Sequence, residues 1–112
     1  MGFLTSFSRS MYLTNYINKL QIQLNDVTTE QLDLTNEIAQ LTSEISDLGK
    51  TDSAAVKQLT ARRVELEALD RQLQARMKKI QAQIQAATTE MQSAEQMLQQ
   101  NIQKSFGYAG GR

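Results

Sequence analysis

Apolar residues recur through the first half of the chain at alternating steps of four and three: Leu13, Ile17, Leu20, Leu24, Val27, Gln31, Leu34, Ile38, Leu41, Ile45 and Leu48. All but Gln31 are aliphatic, and no step is missed. A period of about 3.5 residues keeps one apolar seam turned toward a partner helix over many turns. The second half carries the same period through Val56, Leu59, Arg63, Leu66, Asp70, Leu73, Met77, Ile80, Ile84, Ala87, Met91, Ala94 and Leu98. Between the halves lies Gly49-Lys50-Thr51-Asp52-Ser53, a helix-ending glycine followed by three residues suited to capping the next helix. The pattern predicts a first helix from about Leu4 to Leu48, a turn over 49–53, a second helix from about Ala54 to Phe106, and a Gly-rich tail over 107–112. At ~1.5 Å per residue each helix is on the order of 70 Å long. The expected fold class is all-α, a single antiparallel two-helix coiled-coil hairpin assembled further into a larger helical bundle or filament.

The register of such a hairpin follows from its short turn. With Ile17, Leu24, Gln31, Ile38 and Ile45 as the a positions and Leu13, Leu20, Val27, Leu34, Leu41 and Leu48 as the d positions, antiparallel pairing sets a layers against d layers. Leu48 then faces Val56, Ile45 faces Leu59, Leu24 faces Ile80, Leu20 faces Ile84 and Leu13 faces Met91. Charge supports this direction. Residues 26–47 hold Asp26, Glu30, Asp33, Glu37, Glu44 and Asp47 and no base. The stretch opposite holds Lys57, Arg62, Arg63, Arg71, Arg76 and Lys78 against Glu65, Glu67 and Asp70. Exposed pairs contribute only ~0.2–1 kcal/mol each, so they orient the chain more than they stabilise it. Gln31, Arg63 and Asp70 interrupt the seam and read as register-setting residues, which trade stability for one alignment. A sharper reading makes them a buried polar cluster facing a ligand or a second hairpin.

Composition then removes most chemistry. The chain of 112 residues contains no Pro, Cys, His or Trp. Nothing in it forces a helix to break, and the commonest metal ligands and proton shuttles are missing. Glu65 and Glu67 fall on different helix faces, and Glu90 with Glu95 is ordinary surface, so no catalytic carboxylate pair is apparent. No Gly-rich phosphate loop occurs. The expectation is a protein that is not an enzyme, with no cofactor and no metal. Twelve bases balance twelve acids, which gives none of the basic surplus of a nucleic-acid binder. The start, Met1 to Arg9, lacks a charged leader and a continuous apolar run, so a cleaved signal peptide is not expected; a cytoplasmic protein or one exported without such a signal fits. Met1-Gly2 with Ser6 meets the short myristoylation pattern, which arises readily by chance.

Aromatic residues give the molecule a polarity along its length. All six lie near the termini: Phe3, Phe7, Tyr12 and Tyr16 at one, Phe106 and Tyr108 at the other. Residues 1–25 carry only Arg9 and Lys19, and residues 80–112 only Glu90, Glu95, Lys104 and Arg112. A hairpin joins these stretches into one charge-poor, Gln-rich half whose apolar set includes Met97 and Ile102. Loss of charge with gain of aromatic and Met side chains is the composition of an interface core. Two helices cannot enclose a core, and small elongated folds usually need association. Phe3, Phe7, Tyr12, Tyr16, Met97, Ile102, Phe106 and Tyr108 are therefore the candidate interaction residues. Alternatively Phe7 and its neighbours merely plug the open end, Phe7 falling near Met97. Leu32, Leu69 and Ile22 lie off the seam and suggest a second contact stripe.

In outline the sequence resembles the small secreted helical hairpins of bacterial export systems, the needle subunits and WXG-type proteins, which are similar in length and uncharged at one end. Its turn, Asp47-Leu48-Gly49-Lys50, has neither the Trp of the WXG group nor the Pro-bounded turn of needle subunits. Prefoldin β subunits share the antiparallel coiled coil but insert strands where this chain has room only for a turn. The leading expectation is a structural subunit that associates with itself through its terminal half. The alternative is a small adaptor or export chaperone that offers that half to another helical protein. Attachment of Gly2 to Met11 to a membrane surface is weaker, since a single Arg accompanies that segment.

Overall fold

Two helices follow one another in the chain, α1 over Phe3–Leu48 and α2 over Ser53–Gly110. The computed structural model describes residues 2–49 and 51–110 and, within them, all side chains but those of residues 3 and 105–110. The fold is the expected all-α helical hairpin. One boundary differs: α2 runs on through Gly107 to Gly110, where a non-helical tail was expected. Glycine weakens a helix by about 1 kcal/mol relative to Ala, whereas only Pro removes the amide donor and collides with the preceding turn.

The turn closes without a left-handed glycine, since no described residue has a positive φ. The amides of Thr51 and Asp52 both donate to the Leu48 carbonyl, at 2.9 and 3.1 Å. Asp52 then caps α2, its Oδ1 accepting the Ala55 amide at 3.1 Å. That carboxylate satisfies an otherwise orphaned donor and meets the positive end of the helix dipole. Asp52→Ala is expected to lower stability by about 1 kcal/mol, read as an earlier midpoint in urea; an unchanged midpoint would remove the cap from this account.

The chain divides into two compact units, a terminal unit of Met1–Gln23 with Ile80–Arg112 and a turn unit of Leu24–Lys79. In the terminal unit Leu13, Ile17, Leu20, Ile80, Ala87 and Ala94 are buried; in the turn unit Val27, Leu34, Leu66 and Leu73 are. Every other predicted seam position is half-buried, and none is exposed. Burial falls mainly on the d layers, with Leu59, Leu66, Leu73, Ile80, Ala87 and Ala94 taking that role in α2. The a layers, Ile17 apart, keep one side open, as two helices without a third must.

Contacts between the arms fix the register. In the terminal unit Thr14 Oγ1 lies 3.3 Å from Met91 Sδ. In the turn unit Thr28 Oγ1 lies 3.8 Å from Met77 Sδ, and Arg63 Nη1 donates to Thr42 Oγ1 at 3.5 Å. Each step of two heptads up α1 matches two heptads down α2, the spacing expected when Leu13 faces Met91. Thr14, Thr28 and Thr42 also turn their hydroxyls back onto their own helix, to the carbonyls of Ser10, Leu24 and Ile38.

Candidate interaction surfaces

In the terminal unit the first turns of α1 leave large apolar side chains in solvent. Leu4 is 75% exposed and Met11 52%, with Phe7 between them also exposed. Spacings of three and four place these three on one flank of the helix. Ile102 of α2 is exposed too, and antiparallel register sets it at the flank position facing Phe7. These exposed apolar residues lie in a stretch of the chain where charged side chains are sparse.

The opposite flank of α1 carries Tyr12 and Tyr16. Their rings stack with centroids 6.3 Å apart and planes 11° from parallel. Arg9 sits 5.7 Å from the Tyr12 centroid and also pairs with Glu90 across the hairpin. The guanidinium thus holds the Tyr12 face while its charge is balanced. Tyr12, Asn15, Tyr16 and Lys19 line a shallow groove of about 200 Å³. Tyr12 stays 60% exposed; Tyr16 and Met97 are half-buried. The side chains of Phe3, Phe106 and Tyr108 lie outside the described residues.

A polar layer extends the seam beyond the predicted one. Ser6 is 1% exposed, and the Asn101 amide donates to its Oγ at 3.1 Å. Ser6 stands one heptad before Leu13 and Asn101 one heptad after Ala94. The heptad count continued by one step would have found both; their polar character hid them.

Among the described residues no hydrogen bond joins the three polar seam residues to one another. Arg63 reaches Thr42, and its buried Nε lies 3.4 Å from Glu67 Oε1, an ion pair without hydrogen-bond geometry. Asp70 Oδ2 accepts from Gln74 at 3.0 Å, while its Oδ1 is buried with no hydrogen-bond partner. Gln31 is half-buried, and among the described residues no hydrogen bond joins it to Arg63 or Asp70.

Flank positions along the seam decide which charges meet. Residues just before each a position face each other across an antiparallel pair. In the terminal unit this sets Arg9 against Glu90; in the turn unit it sets Glu37 against Arg62, at 3.7 Å. By the same count Glu30 faces Leu69 instead of a base, and a groove of about 260 Å³ opens there, lined by Glu30, Asp33, Leu34, Glu37, Leu69 and Leu73. Glu37–Arg62 is the one ion pair between the arms of the turn unit among the described residues. The acidic arm and the basic arm are thus matched in composition but scarcely in contact. Leu32 is 61% exposed on the flank away from this groove, so Leu32 and Leu69 do not make one stripe.

Among the described residues no group of three acidic side chains is placed to hold a metal ion, and no helix is long and apolar enough to cross a membrane. Comparison of the chain with protein-family models, with curated proteins and with solved structures found no match.

Proposed function

We propose that the protein is a structural subunit that associates with copies of itself through its terminal unit. The observation that carries this reading is the exposure of large apolar residues, Leu4 and Met11 with Phe7 on α1 and Ile102 on α2, where charge is sparse. The Tyr12–Tyr16 stack supplies a second, rigid aromatic surface on the other flank. Aromatic rings held in place by stacking and by a cation lose little freedom on binding, which makes them good anchors. Two contact surfaces on opposite flanks of one helix suit growth into a bundle or filament better than a closed pair.

The test is the double variant Phe7→Ser, Met11→Ser. Both side chains are exposed and lie off the buried seam, so helicity by circular dichroism is expected to stay near the parent value. Each anchor removed withdraws ~1.5–3 kcal/mol of apolar burial from the contact, enough to weaken association about a hundredfold. Light scattering across a concentration series should show the parent growing in mass and the variant not. A parent that stays monomeric at every concentration would overturn self-association and leave the adaptor reading in its place.

A further inference from the structure

The turn unit holds two charged surfaces that, Glu37 apart, make no ion pair within the hairpin among the described residues. Asp26, Glu30, Asp33, Glu37, Glu44 and Asp47 all fall on one flank of α1, alternating between two adjacent heptad positions, and all are exposed. Of these only Glu37 makes an ion pair among the described residues. The groove floored by Leu34, Leu69 and Leu73 runs along the same flank. On α2, Lys57, Val64, Arg71 and Lys78 recur at every seventh residue, forming a straight stripe on the flank turned away from that groove. Val64 is exposed in the middle of this stripe, and none of its three bases makes an ion pair among the described residues.

We propose that these surfaces recognise each other between copies: the acidic flank of α1 in one molecule receives the Lys57-Val64-Arg71-Lys78 stripe of α2 from the next. The proposal rests on the reading of the chain as self-associating but uses none of the terminal residues. Charge selects the occupant. The groove face carries Glu65 and six acids of α1 against Arg62, Arg76 and Lys79, so two such faces repel. The stripe face carries Glu67 against Lys57, Arg71 and Lys78, so it repels its own kind as well. Acidic face on basic face is the attractive combination. It brings Val64 toward the apolar floor beside Leu69 and lets the aliphatic stems of the bases cover the rest. Because donor and acceptor faces differ, the contact is head-to-tail and does not close on itself.

Two charge-reversed chains test this, the first with Asp26→Lys, Glu30→Lys and Asp33→Lys, the second with Lys57→Glu, Arg71→Glu and Lys78→Glu. None of these six groups has an ion pair among the described residues, so both variants should keep parent helicity. Each alone is expected to associate about tenfold or more weakly than the parent in low salt, where such pairs count most. An equimolar mixture should regain parent mass by light scattering, since every reversed face then finds its complement. Parent-like mass for both variants alone, or a mixture that stays dissociated, overturns the proposal. A loss confined to the first variant also overturns it, because that outcome marks the groove as a site for some other basic segment. If the charge variants lose mass while Phe7→Ser, Met11→Ser keeps it, the turn unit associates and the terminal reading fails; the reverse pattern separates the two the other way.

Discussion

Leu20→Ala is expected to lower the free energy of unfolding by about 2–3 kcal/mol, a large share of what a chain of this size holds. Leu20 is 4% exposed, and its d position is one where the side chain is covered even in a two-helix seam. Truncation removes three carbons from that layer and leaves a gap that the neighbouring layers, Ile17 and Ile80 among them, fill only in part. Leu32→Ala supplies the contrast. The same atoms leave a side chain that stands mostly in water, and the expected change is within about 0.5 kcal/mol. Urea unfolding followed at 222 nm reads both. The series must be run at several protein concentrations, because association stabilises the folded state by mass action and would inflate the apparent loss. Equal effects at the two positions would mean that the seam is not where the burial lies.

The seam can be read from sequence because its signal is repeated: 24 positions at one period, all but three of them apolar, leave little freedom for the register, and Thr14 beside Met91 follows from it. Single residues were harder. Ser6 and Asn101 lie on the same heptad count, but a search for apolar side chains passes over a small hydroxyl paired with an amide. The end of α2 was misplaced for a related reason. Glycine is common just past helix ends, but inside a helix it costs only about 1 kcal/mol, and with no Pro to enforce a stop the backbone continues to Gly110. Charge indicates the direction in which the arms pair, but not which residues meet. Counting acids on one arm and bases on the other suggests a zipper, yet pairing depends on which flank each side chain occupies. Glu37 reaches Arg62, while Glu30 and Asp33 line a groove with Leu69. Composition records how many charges an arm has, and only the heptad position records where they face. The terminal aromatics show the limit from the other side: sequence places them at one end of the hairpin, and burial then sorts exposed Tyr12 from half-buried Tyr16.

Asp70→Leu is expected to stabilise the hairpin by about 1–3 kcal/mol while loosening its alignment. Asp70 stands at an a position facing Leu34, with Oδ1 buried and without a hydrogen bond. Its one acceptor contact, from Gln74, comes from a neighbour on the same helix and does nothing to hold the arms together. A buried carboxylate oxygen that has given up water without gaining a donor is destabilising, and replacing such a group with a well-packed apolar side chain often raises stability. What the aspartate supplies is exclusion. Sliding one arm by a heptad relative to the other would replace Gln31, one layer from Asp70, with Leu24 or Ile38, so the polar positions penalise slipped registers more than the true one. The variant should therefore unfold at higher urea, yet show a broader distance distribution between spin labels at positions 14 and 91 than the parent with the same labels. A gain in stability with an unchanged distribution would leave Asp70 without a role in register. A loss of stability would say more, because it requires that the buried oxygen be satisfied in solution by a donor from outside the hairpin, most directly a second copy of the chain.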